Sequence, residues 1–269
     1  MIVAVPNRVN PNAPTELAEQ ELTNSTRNLP GSGPHVITYS KASYKFHQQT
    51  GFARIPSVSI VNEGTTANPR YARPYLMYGA YQTVSPWRGF DTGIVYYEEL
   101  KRWKLFFNGL GTGWWESPTQ LNLSAGSEVY LHMAFTSNSF VNVIVRNANT
   151  WAILDQVSYW YNGSFTNNPI NIELTRETSF AQHVRANANS KLLNARWREV
   201  YLYSSSQTVL ATSTYLQAKN TSTRIPWSAS LPLYIIGDNA YDKTKIKITS
   251  PVAYYSEIVS IDLNINPTW

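Results

Sequence analysis

After residue 35, apolar and polar residues alternate along most of the chain, and the pattern is clearest from Asp91 to Trp115 (DTGIVYYEELKRWKLFFNGLGTGWW). A period of two combined with aromatic and β-branched residues is typical of pleated sheet. The stretch predicts two strands, Asp91–Tyr97 and Trp103–Phe107, joined by the charged tip Glu98–Arg102. We therefore expect a β-hairpin here with an unusually aromatic surface.

Shorter runs of the same kind follow at intervals of about 8–12 residues and are separated by turn residues. They lie at 35–46, 54–61, 73–84, 128–137, 140–146, 151–161, 170–175, 196–203, 231–236, 245–248 and 256–265. The segment 181–195 fits either a helix or a loop. Many short strands with frequent turns predict an all-β fold, an antiparallel β-sandwich or jelly roll of lectin-like type.

The N-terminal part has a different pattern. Residues 1–12 read as an extended arm, and Pro14–Thr23 (PTELAEQELT) is the best helical candidate, because proline suits a first helical turn and its glutamates lie near the positive end of the helix dipole. Residues 28–34 (NLPGSGP) are rich in turn residues. We expect an arm and short helix in residues 1–34 and a single β-sandwich domain in residues 35–269.

Composition supports a folded, weakly charged protein. Hydrophobic residues make up 43% of the chain and charged residues 14%, a balance that disordered chains do not have. The net charge is +5, which permits attraction to anionic polymers or membrane surfaces, but there is no run of five basic residues and hence no support for a nucleic-acid partner. The chain contains no cysteine, which excludes disulfides and thiolate metal sites.

The aromatic residues suggest a ligand-binding platform. Tryptophan and tyrosine rings near turns can cover the apolar face of a sugar while polar side chains bond its hydroxyl groups. Trp114 and Trp115 are adjacent, so in a strand they point to opposite faces, and one of them is expected to be exposed. The predicted ligand-binding residues are Trp87, Arg88, Trp114, Trp115 and Glu116.

Catalytic and metal motifs are weak. The tight acidic motif of jelly-roll glucanases and the Gly-x-Ser-x-Gly motif are both absent, although Asp91, Glu116 and Asp155 could meet in space. The four histidines, His35, His47, His132 and His183, are isolated, and His132 is interpreted as a sheet residue. No catalytic residue, cofactor or metal is therefore assigned, except that Gly237–Asp242 is a weak candidate for a calcium loop.

One family resemblance rests on the central segment. Asp91, Gly93, Tyr96, Trp103 and Lys104, followed by Ala125-Gly126-Ser127 before a new strand, resemble the pattern of the YrpD-like secreted proteins of Bacillus and its relatives. The resemblance covers about residues 75–200. It implies a concanavalin-like jelly roll and an extracellular location, and it implies no catalytic residues. The N-terminus has neither the basic region nor the long apolar region of a signal peptide, so a trimmed mature form or another export route is expected.

The combined expectation is a noncatalytic, secreted, lectin-like protein whose partner is a glycan or cell-surface polysaccharide. Two alternatives remain open. The Ser/Thr-rich segment 204–225 alternates weakly, as the membrane-inserting strips of β-pore-forming toxins do, so an insecticidal or cytolytic toxin that binds a host-cell receptor or membrane surface is one alternative. A polysaccharide hydrolase or lyase is the other.

Overall fold

The structure is a computed structural model of the 269-residue chain, and it is built almost entirely from β-strands. It describes residues 33–85, 88–109, 113–161, 164–182, 189–219, 225–228, 231–236, 244–264 and 267. Within these ranges, all strand pairs are antiparallel and form two nine-stranded sheets. The predicted antiparallel β-sandwich is therefore confirmed. The predicted helix at Pro14–Thr23 lies outside the described residues.

Sheet 1 carries the candidate functional site. In order across the sheet, and numbered along the chain, its strands are β15 (Ile225–Ser228), β16 (Leu231–Ile236), β1 (His35–Ser40), β11 (Ile172–Ala181), β4 (Arg73–Gln82), β5 (Gly89–Tyr97), β6 (Arg102–Gly109) and β7 (Gly113–Glu116). The short strand β14 (Leu216–Gln217) also pairs with β1.

Sheet 2 forms the opposite layer of the sandwich. Its strands, in order, are β10 (Ile153–Trp160), β9 (Phe140–Asn147), β8 (Glu128–Phe135), β2 (Gln48–Arg54), β12 (Lys191–Tyr203), β18 (Ser256–Asp262) and β17 (Ile246–Ala253). Two short strands, β3 (Ser57–Ser59) and β13 (Thr208–Leu210), pair with β12. A single 3-10 turn at Ala42–Tyr44 lies between β1 and β2.

The main hydrophobic core lies between the inner faces of the two sheets. Every second residue of β8 is buried, which is the pattern that a half-buried strand requires. Large rings fill much of the space: Trp103 and Trp197 are fully buried, and the rings of Phe90 and Phe107 stack with their centroids 4.9 Å apart. Much of the aromatic content therefore stabilises the core and is not available for ligand binding.

A buried polar link also joins the two sheets. The guanidinium of Arg176 in β11 lies 2.8 Å from the carboxylate of Glu257 in β18, and both side chains are 2% exposed. Tyr234 donates a hydrogen bond of 3.1 Å to the same carboxylate. Burial raises the pKa of Glu257 to about 7, because the desolvation of its charged form outweighs the stabilisation that Arg176 and Tyr234 provide.

Strand β11 is longer than the pattern predicts. The prediction ends at Thr175, whereas the strand runs from Ile172 to Ala181. The residues from Ile172 to Phe180 are buried on both faces, including polar residues, so the strand has no simple alternation of apolar and polar types. This extension is important because it places Glu177 in the centre of sheet 1.

The segment proposed as a membrane-inserting strip is part of the sandwich as far as residue 219. Strand β13 pairs with sheet 2 and β14 pairs with sheet 1, so the chain crosses from one sheet to the other between them. Ala211 and Leu216 are buried in the main core. Residues 220–224 lie outside the described ranges. None of the helices described has the length and hydrophobicity that a membrane-spanning helix needs.

Candidate functional site

The outward face of sheet 1 arranges side chains from six strands in two neighbouring rows. The strand register aligns Tyr39, Thr175, Gly79, Asp91, Asn108 and Trp114 in row one, and Ile37, Glu177, Met77, Gly93, Phe106 and Glu116 in row two. The two rows are about 7 Å apart, because outward residues of one strand are two positions apart. This register places Asp91 and Glu177 on either side of strand β4.

Tyr81 is hydrogen-bonded to Asp91 and is influenced electrostatically by Glu177. It is the next outward residue of β4 after Gly79, and its hydroxyl donates a hydrogen bond of 2.5 Å to Asp91 Oδ1. Burial raises the pKa of Tyr81 well above its ordinary value of 10, and the negative charges of Asp91 and Glu177 raise it further. The phenol of Tyr81 therefore keeps its proton and acts as a hydrogen-bond donor to Asp91.

Gly79 leaves room for a close approach of two oxygens from neighbouring strands. A Cβ atom at this position would lie 2.5 Å from Thr175 Oγ1 and 2.6 Å from Asp91 Oδ1, so no larger residue fits without a shift. Thr175 is 1% exposed, and its hydroxyl has no hydrogen-bond partner among the described residues. The glycine thus allows a hydroxyl and a carboxylate from neighbouring strands to approach the same point on β4.

An apolar cluster lies beside the acidic residues on the same face. Its buried members are Met77, Val95 and Phe106, and Tyr75, Tyr97 and Trp114 pack against them. The rings of Phe106 and Trp114 are stacked, with centroids 4.9 Å apart and an interplanar angle of 13°. The face therefore combines an acidic centre with an adjoining apolar and aromatic surface.

Charged networks flank this face. On the β7 side, Glu116 accepts hydrogen bonds from Tyr97 and from Lys104, whose Nζ is 2.8 Å away. On the β1 side, Glu173 pairs with Lys219 at 2.5 Å and accepts a hydrogen bond from Gln217. Glu116 and Glu173 are thus each paired with a lysine.

The structure separates the five residues that were predicted to bind a ligand. Trp87 lies outside the described residues, and Arg88 is half-buried, with its carbonyl accepting a hydrogen bond of 2.7 Å from the Gln82 amide. Trp114 belongs to the outward apolar cluster, whereas Trp115 is 7% exposed and belongs to the main core. The expectation that the two tryptophans face opposite sides holds, but the pair does not form one exposed platform.

Sequence reasoning named Asp91 as a carboxylate of interest but missed Glu177, Tyr81 and Thr175. The sequence carried a signal for Thr175 and Glu177. In the run TRETS, which begins at Thr175, the first, third and fifth residues have short or acidic polar side chains. Their meeting with Tyr81 depends on the register of β11 against β4, which no local pattern reveals. Asp155, by contrast, is on β10 in sheet 2 and is remote from this face.

The described residues contain no cluster of three or more histidine, aspartate or glutamate side chains that could hold a metal ion. Burial lowers the pKa of His132 to about 4 and also lowers the pKa of His47, so both rings are neutral at neutral pH. His183 and the candidate calcium loop Gly237–Asp242 lie outside the described ranges. Glu98 and Glu99 form ion pairs with Lys101 and Arg73 at the hairpin tip.

Comparison with known proteins gives a similarity of fold. No family model and no curated protein sequence matches the chain. Among solved structures, scytalido-glutamic peptidase with a transition state analog inhibitor has a TM-score of 0.51 and 11% identity, covering 87% of this chain and 100% of the peptidase. A second structure of scytalido-glutamic peptidase, with a peptide-based transition state analog, has a TM-score of 0.50 and 11% identity over 88% of this chain and 100% of the peptidase.

This comparison corrects the expectation of a noncatalytic, lectin-like function. The solved structures that share the fold are peptidases, and their ligands are transition-state analogs, not glycans. The site geometry agrees with this correction, since Trp115 is in the core and the centre of the outward face is acidic. The toxin alternative is overturned with it.

Proposed function

We propose that this protein is a hydrolase that cleaves peptide bonds, with Asp91 and Glu177 as its catalytic acid–base pair. The observation that carries the proposal is the placement of these two acidic residues on either side of strand β4 on the outward face of sheet 1, with Tyr81 hydrogen-bonded to Asp91. The shared fold with structures named glutamic peptidases supports the choice of peptide substrates over other substrates.

Glu177 is the glutamate that suits catalysis best among those on this face. It is 9% exposed and lies between Ile37 and Met77 in row two. In its protonated form this carboxyl group would donate a proton to the leaving nitrogen.

Asp91 suits the complementary role of base. The hydrogen bond from Tyr81 stabilises its carboxylate, and Asp91 is only partly buried. Peptide hydrolysis needs one group that takes a proton from water and one that gives a proton to the leaving nitrogen. The pair provides both when it carries one proton in total.

The proposed reaction balances without a cofactor. A proton of the attacking water moves to Asp91 as the water oxygen bonds to the carbonyl carbon. Glu177 then gives its proton to the amide nitrogen, and the C–N bond breaks to release a carboxylic acid and an amine. The proton on Asp91 passes through solvent to Glu177, which restores the pair. Two carboxyl groups that must share one proton predict activity at acidic pH.

A cleavage assay tests the proposal. The purified full chain is incubated with a peptide library from about pH 2 to 8, and mass spectrometry identifies the products. We expect cleavage at acidic pH, and we expect Glu177→Gln and Asp91→Asn each to lower kcat by about 100-fold or more, because each removes one proton-transfer group.

The matched control is Glu99→Gln, which removes a glutamate at the hairpin tip of the same sheet, where it pairs with Arg73. It is expected to leave kcat unchanged. Absence of cleavage by the folded chain across the whole pH range would refute the proposal, and so would full activity of both central variants. Circular dichroism and the urea midpoint of each variant establish that it is folded.

A further inference from the structure

The outward face of sheet 2, on the opposite side of the sandwich from the candidate site, carries a basic and aromatic surface that the proposed function does not use. The strand register aligns five residues of this face in one row across β12, β2, β8, β9 and β10: Arg198, Phe52, Tyr130, Arg146 and Ile153. The row faces outward, because the residues next to it along the strands, such as Trp197, Ala53 and Val145, belong to the main core.

Three aromatic rings form the apolar centre of this face. Phe52, Tyr130 and Trp151 contact one another edge to face, with ring centroids between 5.0 and 6.0 Å apart. Trp151 lies in the turn that joins β9 to β10, and it is 51% exposed. Its φ of 59° is in the left-handed region, which is costly for a residue other than glycine. Arg146 donates a hydrogen bond of 3.1 Å to its carbonyl oxygen, so a strained turn holds an indole ring at the surface.

Two further large apolar side chains of this face lie in contact with solvent. Ile153 and Trp160, near the two ends of β10, are 47% and 55% exposed. Trp160 points outward because its neighbour Tyr159 is a core residue, and Ile153 lies directly opposite Arg146 in the outward row. Exposed apolar side chains that gather on one face are typical of an interaction surface.

The charges of the same face are mainly positive. Arg196 and Arg54 lie directly opposite each other on β12 and β2, an arrangement that is unfavourable for like charges. Glu128 is next in this second row, but Arg198 holds both of its carboxylate oxygens, at 3.0 and 2.9 Å. Neither Arg54 nor Arg196 forms an ion pair with a described residue, and the buried Nε of Arg196 has no hydrogen-bond partner among them. Two adjacent guanidinium groups can therefore bind anions from outside the chain.

We infer that the outward face of sheet 2 docks this protein on a membrane surface that contains anionic phospholipids. Indole rings suit the boundary between lipid headgroups and acyl chains, and arginines near such a surface attract acidic headgroups. The aliphatic side chain of Ile153 favours lipid over a hydrated polyanion, because it gains free energy only where it leaves water. The candidate site is on the outward face of the other sheet, so docking leaves it open to solution.

Vesicle binding tests the inference directly. The full chain is mixed with vesicles of phosphatidylcholine alone, or of phosphatidylcholine with about 30% phosphatidylserine, and centrifugation measures the bound fraction. We expect binding to the acidic vesicles to be about 10-fold tighter or more, and we expect about 0.5 M salt to remove the difference by screening the headgroups. No binding to acidic vesicles at low salt, or equal binding to both kinds, would overturn the inference.

The double variant Arg54→Gln with Arg196→Gln tests the charged part of the face. An arginine near an acidic lipid surface contributes about fivefold to binding, so we expect binding to acidic vesicles to weaken by about 10- to 30-fold. The matched control, Lys101→Gln with Arg102→Gln, removes the same charge from the hairpin tip of sheet 1 and is expected to change binding less than about twofold. Equal weakening in both double variants would show that net charge, and not this face, drives binding.

Trp151→Ala tests the apolar part of the face. We expect binding to acidic vesicles to weaken by about fivefold or more, because the exposed indole no longer leaves water. Trp114→Ala removes an indole from the outward face of sheet 1 and is expected to bind as the unmodified chain does. Urea denaturation shows whether each variant is folded, and Ile153→Ser replaces Trp151→Ala if the latter is not. Unchanged binding by a folded variant of this kind would refute insertion by this face.

A soluble polyanion tests the competing assignment. Dextran sulfate is offered to the chain in place of vesicles. Tight binding of dextran sulfate, together with no binding to acidic vesicles, would assign the two arginines to an acidic polysaccharide and would overturn the inference. None of these measurements uses peptide cleavage, so failure of the docking inference leaves the proposed function standing, and a chain that cleaves no peptide can still bind acidic vesicles.

Discussion

At the scale of single residues, the candidate site depends on the lack of a side chain at Gly79 as much as on the polar side chains of Asp91 and Thr175 beside it. Gly79 has no side chain, and this allows oxygens from β5 and β11 to approach the same point on β4. Asp91 alone would be an ordinary half-buried carboxylate. With Tyr81 as hydrogen-bond donor, its carboxylate has a fixed orientation.

Replacement of Gly79 by alanine tests this interpretation. The added methyl carbon would lie 2.5 Å from Thr175 Oγ1, 2.6 Å from Asp91 Oδ1 and 3.0 Å from the Phe90 carbonyl oxygen. The last of these is backbone and cannot move away cheaply, so we expect a loss of about 1–3 kcal/mol in the free energy of unfolding. Urea denaturation measures this loss.

The control for this variant is the same substitution in a Thr175→Ala background. Removal of the threonine hydroxyl relieves one of the close contacts, so Gly79→Ala is expected to cost less there than in the unmodified chain. Equal costs in the two backgrounds, or no cost in either, would contradict the described geometry over Gly79.

At the scale of elements, strand β7 shows how one short strand serves both faces of a sheet. Trp115 points into the main core and Trp114 packs on Phe106 at the outward face. The alternation of a strand predicts this division from the sequence, since adjacent residues point in opposite directions. Which tryptophan faces the core depends on the pairing of β7 with β6, which is a tertiary property.

The two tryptophans are expected to differ in their contribution to stability. Trp115→Ala leaves a cavity among core residues and should lower the free energy of unfolding by about 3–5 kcal/mol. Trp114→Ala removes a stacked ring from a partly exposed cluster, and we expect a loss of roughly 1–2 kcal/mol. Urea denaturation of both variants measures the difference, and equal losses would show that the two rings are buried to a similar extent.

Strand β11 is the element that sequence reasoning described least well. Its outward residues Thr175, Glu177 and Ser179 are polar, and its inward residue Arg176 is charged, so neither face looks apolar in the sequence. The strand forms because its neighbours β1 and β4 satisfy its backbone and because Glu257 of the other sheet pairs with Arg176. Contacts distant in sequence therefore outweigh the local pattern.

At the scale of the whole molecule, the ion pair between Arg176 and Glu257 couples the sandwich to pH. The folded protein raises the pKa of Glu257 to about 7, above its ordinary value of 4.5, so the folded state binds this proton more tightly than the unfolded state does. The stabilisation from Glu257 is therefore fully present below about pH 4.5 and is lost as the pH rises through about 7.

Glu257→Gln is expected to remove this pH dependence. A rise from about pH 4.5 to 7 should cost the unmodified chain about 3 kcal/mol through this group, and the glutamine variant should not show that slope. Its absolute stability should be higher than that of the unmodified chain above about pH 7, because the glutamine never carries the buried negative charge that destabilises the folded state there. Urea denaturation at several pH values measures both effects, with Glu99→Gln as the exposed control.

The same pH slope in Glu257→Gln as in the unmodified chain would show that other groups cause it.

Measuring unfolding and cleavage at the same pH values also separates stability from activity. If cleavage falls with rising pH while the protein is still folded, the fall reports the state of Asp91 and Glu177 and not the loosening of the sandwich.

The sequence by itself determined the all-β class and the central hairpin with its division of the two tryptophans, because a period of two is a local property of the strand backbone. Tertiary structure alone decided the candidate functional centre: Gly79 and Asp91 come from the consecutive strands β4 and β5, Thr175 and Glu177 come from the distant strand β11, and only the register of these strands aligns them. A shift of one residue in that register would turn every one of these side chains to the other face. Such a register is set by the summed packing of the core, so no single segment of the sequence encodes it.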